Sequence, residues 1–222
     1  MDSDRIAELL QPFLPRLGTS QNPALCLSPE QLHHISTYID LLLHWNARVN
    51  LTAIRQPEAI VTRHFGESLF AAHHLLPSLP PAPPASAGRL SDIGSGAGFP
   101  GLAIKMWAPD LAVTLIESTH KKATFLREVI RTLTLTDVDV FPGRAEDFST
   151  PSKLVTLRAV ERFEQILPIA VHLVADRGRL ALLIGEAQAK RARELAPELR
   201  WSEAVPIPLS ANRVLLIGNR RP

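Results

Sequence analysis

Apolar residues recur at helical spacing through the first third of the chain. Leu32, Ile35, Ile39, Leu42 and Leu43 fall three or four positions apart or side by side, the pattern that lines one face of an α-helix. Ser28-Pro29-Glu30-Gln31 precedes them, with a capping hydroxyl, a proline at the first helical position and a glutamine at the third. The spacing predicts a helix from residue 28 to about Trp45, a weaker one over 4–14, and another from Glu58 to Leu76 on which Ile60, Phe65, Leu69, Ala72 and Leu76 are apolar. Val49-Asn50-Leu51-Thr52 is the link between the last two. Pro77, Pro80, Pro81, Pro83 and Pro84 then crowd into a dozen residues ending at Gly88. Prolines this dense exclude helix and favour an extended, semi-rigid spacer.

Beyond Gly88 the pattern changes to strands alternating with helices. Strands are expected at 89–93, 112–117, 138–141, 153–157, 179–184, 201–207 and 214–218, and helices near 100–108, 119–133, 161–174 and 186–196. Such alternation implies an α/β fold whose mostly parallel sheet is covered on both faces. The short Pro208–Asn212 connection cannot make a parallel crossover, so the last two strands should pair antiparallel at one edge. The expected organisation is a helical N-terminal extension over 1–76, a Pro-rich connector over 77–88, and an α/β domain over 89–222. The sequence contains no internal repeat.

Composition narrows the class. No apolar run approaches the ~20 residues a membrane span needs, and Met1-Asp2-Ser3-Asp4-Arg5 opens acidic, unlike a signal peptide. One cysteine, Cys26, excludes an internal disulfide framework and reads as a small apolar filler. These features point to the cytoplasm. The net charge of +2 hides an asymmetry: residues 1–150 hold 12 Lys and Arg against 15 Asp and Glu, whereas residues 151–222 hold 12 against 7. A basic excess at one end is compatible with a polyanionic partner and equally with a solvated surface.

The first predicted strand runs into Asp92-Ile93-Gly94-Ser95-Gly96-Ala97-Gly98-Phe99-Pro100-Gly101. Glycines allow positive φ and let a ligand approach the backbone, and ligands of open α/β sheets bind beyond the carboxyl ends of the strands. A dinucleotide loop requires G-x-G-x-x-G. Here the glycines stand at 94, 96 and 98, and Phe99 occupies the third-glycine position. D-x-G-x-G-x-G resembles the first motif of class I methyltransferases, which bind S-adenosylmethionine. Glu117 ends the second strand, where a carboxylate can accept hydrogen bonds from both ribose hydroxyls or cap the next helix. Gly143-Arg144-Ala145-Glu146-Asp147 follows the third strand and reads either as an adenine-side loop or as a solvated turn.

Several ordered matches carry a closer resemblance. They are Trp45-Asn46 with Asn50-Leu51-Thr52; Arg63-His64 with Glu67-Ser68; the extended glycine loop; Glu117-Ser118; Lys121-Lys122 with Phe125-Leu126; Arg144-Ala145-Glu146; and Arg158-Ala159-Val160. Over roughly residues 40–218 the chain resembles the RsmG/GidB family, which methylates N7 of a guanine in 16S ribosomal RNA. The resemblance implies a class I, Rossmann-like seven-stranded sheet with an antiparallel edge strand and a helical N-terminal extension. It implies S-adenosylmethionine as cofactor, with Gly94 and Phe99 at the first loop, Ala145 and Glu146 at the adenine end, and Arg158 beside the methionine part. Gly96 and Glu117 complete the expected cofactor set. For Arg158 the residues leave open a pairing with the cofactor carboxylate or an ion pair with a nearby glutamate. The chain departs from the family at Ile184-Gly185, where Lys-Gly is usual, at Arg213-Val214, where Arg is followed by a polar residue, and at Glu67, where Asp is usual.

Guanine N7 has a free lone pair and no proton to lose, so methyl transfer to it needs alignment rather than a general base. No catalytic acid, base or nucleophile is expected, and the histidines lack a metal-ligand spacing. The partner implied is 16S ribosomal RNA or a small-subunit particle, with no membrane, and the chain is expected to be a monomer. Arg63, His64 and Arg213 are candidate RNA contacts. Trp45 could stack on a base but ends an apolar helix and is expected in the core. The alternatives are a class I methyltransferase with another substrate and a cofactor-binding RNA assembly factor without turnover.

Overall fold

The computed structural model describes residues 1–14, 27–76, 88–159 and 162–222. Cys26, the prolines of the connector and Val160 lie outside the described residues. The N-terminal region forms α1 (Ser3–Leu10), a short 3-10 turn (Gln11–Phe13), α2 (Pro29–Asn46), α3 (Pro57–Ile60), a π-helical turn (Val61–Gly66) and α4 (Glu67–Leu75). The start of α2 follows from its sequence: Ser28 Oγ accepts from the Gln31 amide at 3.1 Å, and Gln31 Oε1 accepts from the Ser28 amide at 2.8 Å. The helix expected over 58–76 is a single run in register, except that its middle widens into the π-helical turn.

The remainder alternates as expected: β1 (Arg89–Ile93), α5 (Gly101–Trp107), β2 (Ala112–Ile116), α6 (His120–Thr132), β3 (Val138–Phe141), β4 (Ser152–Arg158), α7 (Phe163–His172), β5 (Val174–Gly185), α8 (Glu186–Leu195), β6 (Leu199–Trp201), β7 (Val205–Pro206) and β8 (Arg213–Arg220). The expected sixth strand is split into β6 and β7, so the sheet has eight strands rather than seven. Its order is β3-β2-β1-β4-β5-β8-β6, with β7 also paired to β8. The first five strands are parallel. The last hairpin is antiparallel, and β8 also lies antiparallel to β5.

Both faces of the sheet are buried, as strand periodicity requires. Ala181 and Leu183 of β5 join one core with Ile39, Leu42, Phe65 and Leu69 of the N-terminal helices and Phe125 of α6. Leu180 and Leu182 point the other way, into a core with Leu167 of α7 and Ala192 of α8. The helical extension thus shares its hydrophobic core with the sheet. This packing carries α2–α4 to the end of the sheet where β1 and β4 diverge, the switch point at which open α/β sheets bind ligands. Among the described residues no helix is long and apolar enough to cross a membrane.

Candidate functional site

The glycine loop is shaped by its backbone. Gly94, Gly96 and Gly98 take φ values of +66°, +55° and +86°, the left-handed region that L-residues avoid. Gly94 and Ser95 donate to the Ile116 carbonyl at 2.9 and 3.1 Å, which ties the loop to the end of β2. At Gly98 a Cβ would collide with the Tyr38 hydroxyl and meet Leu102 Cδ1 at 2.7 Å. At Gly96 a Cβ would meet only the Gly94 carbonyl, at 3.7 Å. Gly98 is therefore required by packing, whereas Gly96 faces open space of the kind a ligand cradle needs.

Asp92, fully buried, holds the loop from below. Its Oδ1 accepts from Thr156 Oγ1 of β4 at 2.7 Å and its Oδ2 from the Gly101 amide at the start of α5 at 3.2 Å. Burial lifts its carboxyl to about 6 against these hydrogen bonds, which favour the charged form. The motif aspartate thus joins β1, β4 and α5.

A cleft of about 380 Å³ opens beside the loop, lined by Ile93, Gly94, Ile116, Glu117, Ser118, Gly143, Arg144, Ala145, Glu146, Arg162, Gln165 and Ile166. It brings together four of the expected cofactor residues: Gly94, Glu117, Ala145 and Glu146. Glu117 Oε2 accepts from the Gly96 amide at 2.9 Å and its Oε1 from the Thr119 amide at 2.7 Å. It therefore braces the residue that leads into α6 without capping the helix itself, and each carboxylate oxygen retains a lone pair for a diol. Ala159 and Arg162, which flank the chain leaving β4, take φ of +48° and +59°, backbone strain of a kind that clusters at functional sites.

Phe99 turns away from this cleft. Its ring stacks between Tyr38, at 5.2 Å and 15°, and His64, at 4.8 Å and 14°, and Phe65 packs edge-on against it at 4.9 Å. The side chain is spent in the stack, so a cofactor contact at this position falls to the loop backbone.

The remaining expected residues converge on a hub that the sequence did not reveal. Glu67, 1% exposed, accepts from Arg63 Nε at 3.0 Å, Arg158 Nη2 at 3.1 Å and Arg213 Nη2 at 3.0 Å. Three guanidiniums on one carboxylate leave a net positive site. Arg158 is nearly buried. Desolvation lowers its pKa to about 10, Glu67 opposing and Arg213 and Arg63 adding to the fall. Its Nη1 is buried and has no hydrogen-bond partner among the described residues. The ion pair with a glutamate is present, and one end of the guanidinium remains for a ligand anion. A buried, unpartnered cationic N–H suits a cofactor that carries a carboxylate, while the lining of the cleft itself does not include Arg158.

His64 has both ring nitrogens engaged: Nε2 with Thr52 Oγ1 at 2.9 Å and Nδ1 with Arg158 Nη2 at 3.2 Å. Burial lowers its pKa to about 3, reinforced by Arg158, Arg213 and Arg63. Both ring nitrogens are thus engaged within the protein. Arg63 and Arg213 keep partial exposure, 46% and 18%. Trp45 is half-buried and tilted on Phe125 at 5.7 Å. Ile184, which replaces the family's Lys, is buried in the second core opposite Val214. The missed hub had a signal: Arg63 and Glu67 lie one helical turn apart on a helix whose other face is apolar.

Comparison with known proteins adds a family. The family model described as GidB, rRNA small subunit methyltransferase G, matches residues 31–212. Ribosomal RNA small subunit methyltransferase G of Chromobacterium violaceum is 36% identical over 186 residues, covering 83% of this chain and 85% of that protein. The protein of the same name from Chloroflexus aggregans is 40% identical over 204 residues, covering 86% and 82%. Among solved structures, ribosomal protein L11 methylase from Lactobacillus delbrueckii subsp. bulgaricus superposes with a TM-score of 0.57 at 13% identity, over 71% of this chain and 80% of that one, a likeness of fold.

Proposed function

Because the chain belongs to the rRNA small subunit methyltransferase G family, we propose that it methylates N7 of a guanine in 16S ribosomal RNA, with S-adenosylmethionine as methyl donor. S-adenosylmethionine supplies an electrophilic methyl group on a sulfonium. Gly94 and Gly96 would cradle it, Glu117 would accept from its ribose hydroxyls, Ala145 and Glu146 would border its adenine, and Arg158 would take its carboxylate. Phe99 would contribute its backbone.

The observation that carries the reading is the cleft that brings Gly94, Glu117, Ala145 and Glu146 together beside the left-handed glycine loop, in a chain of this family. Guanine N7 presents a lone pair and carries no proton, so no side chain needs to act as acid or base. The protein's contribution is orientation, which can supply on the order of 7–11 kcal/mol. Arg63 and Arg213, held by Glu67, present cations to the RNA backbone, where phosphate contacts dominate affinity. His64 can meet RNA only through its ring, since both nitrogens are engaged.

In this reading residues 1–76 form an extension, 77–88 a connector and 89–222 the methyltransferase domain. The protein acts as a cytoplasmic monomer. Calorimetric titration with S-adenosylmethionine, followed by tritiated-methyl transfer to small-subunit RNA and particles, tests it. Cofactor binding without transfer would favour an assembly factor without turnover. Absence of binding would remove the reading altogether.

A further inference from the structure

We propose that Asn46, Thr52 and His64 form a positioning relay that holds Arg158 with its Nη1 presented to the cofactor's carboxylate. The proposal rests on the reading of this cleft as an S-adenosylmethionine site.

The relay begins at the end of α2. Asn46 Oδ1 accepts from the Leu51 and Thr52 amides at 2.9 and 3.0 Å, and its Nδ2 donates to the Thr52 carbonyl at 2.9 Å. These bonds replace a backbone ladder and fix the 46–52 loop. Thr52 Oγ1 accepts from the Ile54 amide at 3.1 Å and meets His64 Nε2 at 2.9 Å.

Donor and acceptor roles then settle the tautomer. A guanidinium can only donate; the two hydrogens of Arg158 Nη2 face the Arg63 carbonyl, Glu67 Oε2 at 3.1 Å and His64 Nδ1 at 3.2 Å, and Nδ1 shares one of them as an acceptor. The ring proton is therefore on Nε2 and is given to Thr52. In the other tautomer Nδ1–H would oppose Arg158 N–H, donor against donor. The stack on Phe99 fixes the plane of the ring, and burial keeps it neutral. Arg158 Nη2 is thus held by the Arg63 carbonyl, by Glu67 and by His64, and Nη1 is buried with no partner among the described residues.

Neither these three residues nor Arg158 lines the cleft beside the glycine loop, and His64 also stacks on Phe99 of that loop. A route through Arg158 is told apart from one through that stack, and from simple support of the fold, by the Arg158→Gln background. Thr52→Val keeps the shape and removes the acceptor for Nε2–H. Calorimetry should show S-adenosylmethionine binding weakened about tenfold, with Thr52→Ser restoring it to within about twofold. In an Arg158→Gln background Thr52→Val should cost less than about twofold, since the residue through which it acts is gone. Equal losses in both backgrounds, or wild-type affinity in Thr52→Val, would overturn the relay while leaving the cofactor site intact. Failure of the wild type itself to bind would overturn both.

Nitrogen-15 spectra of the wild-type imidazoles give a second readout that survives misfolding of any variant. His64 should be the neutral Nε2–H tautomer at neutral pH. An Nδ1–H or cationic ring would contradict the proposal.

Discussion

The hydroxyl of Tyr38, in the middle of α2, donates to the carbonyl of Ala97 in the glycine loop at 2.6 Å, across 59 positions of chain. It links the N-terminal helices directly to the glycine loop. The phenol is fully buried, and desolvation, with a smaller contribution from the nearby Asp92 carboxylate, raises its pKa well above the ordinary value. It therefore remains a donor at every physiological pH. Tyr38→Phe retains the stack on Phe99 and leaves the Ala97 carbonyl unpaired. The expected loss is about 1–3 kcal/mol of stability, read by chemical denaturation, together with weaker cofactor binding.

Gly96 and Gly98 should respond differently to alanine. Both substitutions carry left-handed strain of about 1–2 kcal/mol. Gly98→Ala adds a collision with the Tyr38 hydroxyl and Leu102, worth a further 1–3 kcal/mol or so of overpacking. Gly96→Ala meets nothing of the kind and should lose cofactor affinity out of proportion to stability. Thermal unfolding and calorimetry on the two variants separate these effects.

The buried histidine gives acid sensitivity. The folded pKa of His64 is depressed to about 3 from an ordinary 6.5, so its contribution to stability is present above 6.5 and lost as pH falls from 6.5 toward 3. Between pH 7 and 5 the loss is about 2 kcal/mol. Asp92 works in the opposite sense. Its carboxyl is raised from 3.8 to about 6, so its contribution is present below 3.8 and lost as pH rises through 6. His64→Gln removes the first effect alone. Denaturation at pH 7 and pH 5 should show the variant losing about 2 kcal/mol less than the wild type on acidification.

Arg63 and Arg213 should be felt in the salt dependence of RNA binding. Replacing either by Gln should make the slope of log affinity against log salt shallower by about 0.7 for each phosphate contact removed from single-stranded RNA. Fluorescence titration at several salt concentrations measures the slope. An unchanged slope in both variants would place the RNA elsewhere.

Much of the α/β unit was legible in the sequence because strand and helix periods alternate cleanly after Gly88. The motif Asp92–Gly98 also marked a left-handed loop after β1, since glycine adopts its three positive φ values with least strain. Other features depend on contacts that periodicity does not report. Tyr38 occupies an ordinary core position of α2, and only the fold shows that its hydroxyl reaches Ala97. Glu67 stands in the sequence only as a motif position, and the fold shows three arginines, one of them from β8 far along the chain, closing on it. The π-helical turn at Val61–Gly66 has no period of its own, although it carries Arg63 and His64. The sixth strand was read as continuous because Trp201–Ile207 is mostly apolar. Ser202–Ala204 instead forms a break between β6 and β7.

The central claim is the position of the transferred methyl group. Small-subunit RNA from cells lacking the protein is incubated with it and tritiated S-adenosylmethionine, and the labelled base is mapped by strand cleavage specific for N7-methylguanine. The account predicts label at one guanine, with cleavage at that base alone. Label on another base, or at a guanine atom other than N7, would contradict it, as would no incorporation by a protein shown to bind the cofactor.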